Sequence, residues 1–304
     1  MFVIAAPGQG SQKPGFLEPW LDTPGARDTL QNWSDVTGVD LLTHGTISDQ
    51  DTIKDTAVAQ PLIVAAGILT GRALLNALPA GVSVAMAGHS VGEFTAAALA
   101  GVISDEDALR LVSLRGRAMA EASARIPTGM AAVIGGEAAE LEKSLSHFGL
   151  FAANYNGGGQ TVVAGELSSL SALAENPPAG SRVIALQVAG AFHTTYMESA
   201  VATLAEAAAS ISSRPATYPL YTNRDGSRVD ESHAVAYLVD QVARPVRWDR
   251  CMESFIKDGI QGMMELAPAG ALVGLAKRAL KGVPTVGITT PDDLALAHEM
   301  VLNT

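Results

Sequence analysis

Val82-Ser-Val-Ala-Met-Ala-Gly-His-Ser-Val-Gly-Glu-Phe-Thr-Ala-Ala-Ala-Leu-Ala100 reads as a buried strand, a sharp turn and an apolar helix in immediate succession. The strand covers residues 82–87 and the helix residues 91–100, which puts Gly88-His-Ser-Val-Gly92 at the junction. A G-x-S-x-G turn between strand and helix is a nucleophile elbow. Small residues at both ends let the chain turn tightly and lift the serine hydroxyl clear of the sheet, at a helix N-terminus whose N–H groups face a developing oxyanion. The bare pattern also arises by chance in glycine-rich chains, and its weight here comes from the flanking strand and helix. Ser90 is the candidate nucleophile.

Outward from this turn the chain alternates strand-like and helix-like stretches. Residues 2–6 read as a buried strand followed by the loop Pro7-Gly-Gln-Gly-Ser-Gln12, and residues 57–78 as a helix. A further helix opens at Asp105, with Ser104 as its N-cap, and runs to about residue 124 before Pro127. Residues 129–135, 151–155, 161–164 and 182–188 are strand-like, with helical stretches at 138–148 and 167–175. That order, β-α-β-β-α-β, is the split pattern of a ferredoxin-like unit. The expected fold is therefore α/β, an α/β-hydrolase-like core with a parallel sheet (residues 1–126 and 191–304) carrying an inserted ferredoxin-like subdomain (residues 127–190). A helix at 197–210 and strands near Leu220, at 241–248 and at 263–265 are expected to return to the main sheet, with a helix at 269–280.

The chain has 304 residues and a formal net charge of −11, which argues against general binding to nucleic acid or an anionic membrane, since both repel it at long range. An anionic substrate must then meet locally placed cations. Cys251 is the single cysteine, so an intrachain disulfide or a cysteine-rich metal cluster is excluded, and a cytoplasmic setting is the default expectation. The N-terminus reads as a strand with no signal-peptide pattern, and the apolar run at 61–71 stops at Arg72, too short to span a bilayer.

A serine nucleophile needs a base. Of the six histidines only His193, in Ala189-Gly-Ala-Phe-His193, has an apolar, loop-like setting between a strand and a helix. By itself such a histidine is more often packed than catalytic. His147 and His298 lie on helical segments among polar neighbours and read as solvated, while His89 flanks the nucleophile and suits a local hydrogen bond. Arg115 is the third informative residue. With Leu111, Val112, Ala118, Met119 and Ala122 it falls on one apolar helix face, whereas Arg117 sits beside Glu121 at surface-pair spacing. An inward guanidinium requires an anion, either a carboxylate elsewhere in the fold or a substrate carboxylate held bidentately.

Together with Pro7-Gly-Gln-Gly-Ser-Gln12 and Gly88-His-Ser-Val-Gly-Glu93, the motifs Leu114-Arg-Gly116, Asn154-Tyr-Asn156, Gly190-Ala-Phe-His193, Gln241 before Pro245-Val-Arg-Trp248, and Pro268-Ala-Gly270 span nearly the whole chain. In this order the sequence resembles the malonyl-CoA:acyl-carrier-protein transacylases of fatty-acid and polyketide synthesis. The resemblance implies that Ser90 is the nucleophile, His193 its base, and the backbone N–H groups of Gln9 and Val91 the oxyanion hole. It implies that Arg115 grips the malonyl carboxylate, and that Gln241 orients the imidazole through its side-chain or main-chain oxygen. Phe192 matches the residue whose bulk disfavours an α-methyl branch, Met119 lines the same acyl pocket, and Asn156 and Asn223 are expected at the substrate. A neutral Gln241 partner is expected to leave His193 a weaker base than an acid would, so that Gln241→Asp or Glu raises hydrolysis relative to transfer.

The implied partners are malonyl-CoA and an acyl carrier protein, whose phosphopantetheine thiol is the acceptor; no cofactor, metal, nucleic acid or membrane is implied, and a monomer is expected. Carrier proteins of this kind are acidic, and Lys277, Arg278 and Lys281 form the candidate docking cluster, with a solvated helix end as the alternative. Three competing readings remain at this level. A serine hydrolase shares elbow and histidine, but the absent orienting acid and the inward Arg115 argue against it. A nucleotide-binding loop fits poorly, because Lys13 occupies the third-glycine position after Gly8-Gln-Gly10 and Gly157-Gly-Gly159 precedes no G-K-S/T. A docking scaffold with a dead site is disfavoured by the presence of both Ser90 and His193.

Overall fold

The computed structural model describes residues 1–304, the side chain of Glu231 excepted. The chain runs through β1 (Phe2–Ala6), α1 (Ala26–Thr37), α2 (Leu41–Thr46), α3 (Gln50–Lys54), α4 (Thr56–Ala77), β2 (Val84–Gly88), α5 (Gly92–Leu99) and α6 (Asp105–Ser123). It continues through β3 (Thr128–Gly135), α7 (Ala138–Phe148), β4 (Phe151–Gly157), β5 (Gln160–Glu166), α8 (Leu167–Glu175) and β6 (Ser181–Ala185). Last come α9 (Glu198–Ala208), α10 (Glu231–Asp240), β7 (Val246–Arg247), α11 (Trp248–Lys257), β8 (Gly262–Glu265), α12 (Ala271–Ala279), β9 (Thr285–Gly287) and α13 (Asp293–Leu302).

These elements form an α/β fold with two sheets. The first has the order β2-β1-β8-β9 and every neighbour in it is parallel, with Phe2 opposite Val84 on one side and Gly262 on the other. Every residue of β1 and β2 is buried, which explains their uninterrupted apolar and glycine composition: a parallel strand covered on both faces has no solvent side to alternate with. Leu220 extends this sheet by a parallel bridge to Met86. The second sheet, β6-β3-β5-β4-β7, is antiparallel except where β7 lies parallel to β4.

The helix α4 is apolar around most of its circumference because it packs into the core beside α5 and α6. By length and composition it meets the requirement for crossing a membrane, and most of it is buried inside this fold. The neighbouring α6 begins where its sequence says it should. Ser104 caps it by accepting from the Asp107 N–H at 3.0 Å, and three acidic residues in the first turn complement the helix dipole. Arg72 of α4 closes the same corner, donating to Asp105 at 2.7 Å and to the Ala98 carbonyl at 3.1 Å.

Two sequence expectations change. The stretch 241–248 does not complete the main sheet. Only Val246 and Arg247 form a strand there, and they pair with Asn154 and Tyr155 of the second sheet. Residues 241–243 instead form a 3-10 turn and Trp248 opens α11, so the alternation of that segment overstated its extended length. His298, read as solvated, is half-buried and donates from Nδ1 to the Ala77 carbonyl at 2.8 Å, so it ties α13 to the end of α4.

Candidate active site

Ser90 and His193 are the two non-glycine residues with positive φ among the described residues, at 53° and 61°. Left-handed backbone at a side-chain-bearing residue costs about 1–3 kcal/mol, and the surroundings must hold it in place. At Ser90 the two flanking glycines do so by close approach. A Cβ on Gly88 would overlap the Gly92 carbonyl, and one on Gly92 would overlap the Ala6 carbonyl of β1. Asn223 then pins the turn from below: its Oδ1 accepts from the Ser90 N–H at 2.7 Å, and its Nδ2 donates to the Gly88 carbonyl at 2.7 Å.

The structure brings Ser90 and His193 together across a separation of more than a hundred residues, with Oγ to Nε2 at 2.6 Å. His193 Nδ1 lies 2.7 Å from the main-chain oxygen of Gln241. A carbonyl can only accept, so Nδ1 carries the hydrogen, and Nε2 presents its lone pair to the Ser90 hydroxyl. That is the tautomer a general base needs. The His193 N–H donates to the Val242 carbonyl at 3.1 Å, which fixes the loop to the same short segment. The orienting group is the main-chain oxygen of Gln241, while its side chain serves Arg115; a carboxylate introduced at 241 would act on His193 through its charge and not through a hydrogen bond to Nδ1.

Burial, reinforced by the Arg115 charge, pushes His193 down to about 3. The imidazole acts as a base only when neutral, and a lowered pKa extends the neutral form toward acid. We therefore expect kcat/KM for acylation to stay within about twofold between about pH 8 and about pH 5.5, measured by thiol release; a descending limb centred near the ordinary histidine value of about 6.5 contradicts this.

Gln9 and Val91 line the same cavity as Ser90. Their backbone N–H groups donate to no protein acceptor among the described residues, whereas the neighbouring His89 N–H is engaged by the Ala6 carbonyl and the Ser90 N–H by Asn223. Free donors on both sides of a nucleophile suit a tetrahedral oxyanion. The Gln9 side chain reaches toward α4, donating to Thr56 Oγ1 at 3.3 Å, and so anchors its loop.

Arg115 is 1 % exposed and, among the described residues, has no carboxylate within hydrogen-bonding distance. Its Nη1 donates to Gln60 Oε1 at 2.5 Å and its Nη2 to Gln241 Oε1 at 2.9 Å, with Ser90 Oγ at the outer limit of 3.5 Å. Nε has no partner among the described residues. Burial pulls the guanidinium down to about 9, with the Glu93 charge opposing. Glu93 is buried as well; burial drives its carboxyl up to about 8 against the Asn223 N–H and the Arg115 charge. Gln60 is itself held, since its Nε2 donates to Met119 Sδ at 3.4 Å. Sequence reasoning assigned no role to Gln60 or Glu93. The available signal was a polar side chain interrupting an apolar helix, Val58-Ala-Gln-Pro-Leu62 in one case and Gly92-Glu-Phe-Thr-Ala96 in the other.

The cavity holds about 550 Å³ and is lined near Ser90 by Arg115, Met119, Phe192 and Val188. Asn156 also lines it, but both ends of its amide are engaged: Oδ1 accepts from His89 Nε2 at 2.9 Å and Nδ2 donates to Gln160 at 2.8 Å. Asn223 does not line this cavity; it lies beneath the turn with its side chain on Ser90 and Gly88, so its expected place at the substrate is corrected to a support of the nucleophile. Of the basic cluster, Arg278 lines the cavity, while Lys277 and Lys281 are exposed outside it. Lys277 and Arg278 occupy the last turn of α12, whose opposite end is capped by buried Glu265, accepting from the N–H groups of Gly270, Leu272 and Val273.

Comparison with known proteins identifies the family. The family model for the acyl transferase domain matches residues 1–294. The malonyl CoA-acyl carrier protein transacylase of Mycobacterium tuberculosis is 48 % identical over 296 residues, covering 97 % of this chain and 98 % of that protein. The crystal structure of MCAT from Mycobacterium tuberculosis superposes with a TM-score of 0.95 at 47 % identity, covering 98 % of this chain and 99 % of the other. A second solved structure, a type II PKS acyl-carrier protein in complex with its malonyl-transacylase, superposes with a TM-score of 0.91 at 28 % identity, covering 98 % and 99 %. The chain belongs to the acyl transferase domain family, among its malonyl CoA-acyl carrier protein transacylases.

Proposed function

We propose that this chain moves a malonyl group from malonyl-CoA to the phosphopantetheine thiol of an acyl carrier protein, by way of an ester on Ser90. The observation that carries the reading is Arg115: a buried guanidinium beside Ser90 with amide partners but no carboxylate. Leaving such a charge uncompensated costs several kcal/mol, and the carboxylate of a malonyl group is the missing partner. A simple acyl ester offers nothing to it.

The reaction divides into two halves. Ser90 Oγ attacks the thioester carbonyl as His193 Nε2 takes its proton, while the N–H groups of Gln9 and Val91 hold the oxyanion. His193 returns the proton to the departing CoA sulfur. The carrier thiol then enters along the same path, gives its proton to His193 and forms a thioester bond to the malonyl carbonyl, and His193 returns the proton to Ser90 Oγ as the ester bond breaks. Phe192 and Met119 bound the acyl end of the pocket, favouring an unbranched chain. The side chains and the substrate thioester supply all of this chemistry, so no metal or cofactor is required. The test is acceptor dependence: malonyl should pass to phosphopantetheinylated carrier at least about a hundredfold faster than to water, and predominant release of free malonate indicates a hydrolase instead.

Carrier docking at Lys277, Arg278 and Lys281 is supported by Arg278 lining the cavity, with Lys277 and Lys281 exposed close to it in sequence, in a chain that is otherwise acidic. Each exposed ion pair with an acidic carrier contributes about 0.2–1 kcal/mol. Reversing all three charges is therefore expected to raise the carrier KM roughly tenfold, an effect that shrinks as salt is added. An unchanged carrier KM assigns these residues to a solvated helix end. We further infer an α/β-hydrolase-like core at residues 1–126 and 191–304, and a ferredoxin-like insert at 127–190, from the parallel first sheet and the β6-β3-β5-β4 order of the second. A monomer in the cytoplasm fits the acidic charge and the single buried cysteine.

A further inference from the structure

We infer that Glu93 is a positioning residue that aims the Arg115 guanidinium by fixing which way the Gln241 amide points. This rests on the malonyl-transfer reading and adds a specificity determinant to it. Glu93 lies in the first turn of α5, 5 % exposed, and is not among the residues lining the cavity. It touches neither the substrate space nor Ser90 Oγ, so any influence on the reaction is exerted through its neighbours.

Those neighbours are the two residues that support the site from behind. Glu93 Oε1 accepts from the Asn223 N–H at 2.7 Å, and Asn223 in turn holds Ser90 and Gly88. Glu93 Oε2 accepts from Gln241 Nε2 at 3.0 Å. The same Nε2 donates to the Ser90 carbonyl at 2.9 Å. An amide has nearly the same shape either way round, and its partners decide its orientation. Here both partners on one side are oxygens, which forces the NH2 toward them and leaves Oε1 facing Arg115 Nη2 at 2.9 Å. Turned over, the amide would set oxygen against oxygen on one side and NH2 against a guanidinium on the other.

Arg115 depends on that oxygen. Its only other amide acceptor is Gln60, and its Nε is unpartnered. Losing the Gln241 contact leaves the fork held by Gln60 and the long 3.5 Å contact to Ser90 Oγ, and bidentate recognition of a carboxylate tolerates little misalignment. The Glu93→Gln variant separates this role from bulk packing, because it preserves size. A carboxyl oxygen, protonated or not, keeps a lone pair for an N–H donor, whereas an amide NH2 has none. In that variant the new amide keeps its oxygen on the Asn223 N–H, so its NH2 meets the NH2 of Gln241 and drives the Gln241 amide away from Arg115.

The experiment measures acylation of Ser90 by malonyl-CoA and by acetyl-CoA in single turnovers. Glu93→Gln is expected to raise the malonyl-CoA concentration for half-maximal rate about tenfold, change the maximal rate less than about threefold, and leave acetyl-CoA unaffected. Gln241→Met, which removes the amide at similar size, is expected to reproduce that loss of malonyl preference even if Glu93→Gln folds poorly. In the Gln241→Met background, Glu93→Gln should have less than about a twofold further effect on preference, because its route is already gone. Equal losses for both esters, or a full additional loss in the double variant, overturn the inference. Wild-type protein that malonyl-CoA fails to acylate overturns the functional reading instead, so the two failures are distinct.

Discussion

Arg115→Ala is expected to lower kcat/KM for malonyl-CoA by about 10²–10³ while leaving acylation by acetyl-CoA unchanged or slightly faster. The magnitude follows from what the residue does. Removing one member of a buried, hydrogen-bonded charge pair costs about 2–5 kcal/mol, and about 1.4 kcal/mol corresponds to a factor of ten. In the free protein the guanidinium is held by Gln60 and Gln241, both neutral, so it already bears most of the desolvation cost that a substrate carboxylate recovers. Acetyl-CoA recovers none of it. Arg115→Lys should behave more like the alanine variant than like wild type, since a single ammonium cannot keep both amide contacts and meet a carboxylate in bidentate fashion. Thiol release in single turnovers with the two esters provides the comparison. A parallel fall for both would mean that Arg115 serves the fold or the nucleophile and not the carboxylate.

Removing either member of the Ser90–His193 pair is expected to reduce transfer by about 10⁴, with the double variant no worse than Ser90→Ala alone. The non-additivity is the informative part. Ser90 Oγ and His193 Nε2 share one hydrogen bond of 2.6 Å and one proton, and without either there is no activated nucleophile for the other to assist. Both side chains sit on left-handed backbone, which the rest of the site enforces through Asn223 under Ser90 and the Gln241–Val242 segment under His193. His193→Ala should retain the fold, because the His193 N–H bond to Val242 survives the substitution. Steady-state rates with malonyl-CoA and carrier, beside a thermal melt for each variant, provide the check. Additive losses would indicate that His193 acts on something other than Ser90.

The elbow was legible because three local signals coincide at Ser90: an apolar run, glycines at fixed offsets and a following helix. Arg115 was legible because a charge on an apolar helix face is an anomaly that periodicity exposes. The β-α-β-β-α-β order of residues 128–185 was legible too, since each strand is a separate apolar run. What escaped was anything set by an amide or a backbone atom. Gln241 could have oriented His193 through either oxygen, and only the fold shows that the main-chain atom does so while the side chain serves Arg115. Asn223 carries no local pattern at all; its bond to Ser90 joins residues 133 positions apart. Residues 246–247 show why strand partners are hard to read: two residues carry too little pattern to choose between sheets, and here the parallel edge of β4 took them. Helices α2 and α3 are only six and five residues long, too short to show an apolar period, and the side-chain caps Asp40 and Asp49 define them in the fold.

The central claim is that malonyl travels through Ser90 to a carrier thiol, and intact-protein mass spectrometry tests it most directly. Wild-type protein mixed with malonyl-CoA should gain the mass of one malonyl group, lose it on addition of phosphopantetheinylated carrier, and pass that mass to the carrier; Ser90→Ala should gain nothing. An adduct that persists in Ser90→Ala, or one that only water removes, would contradict the account.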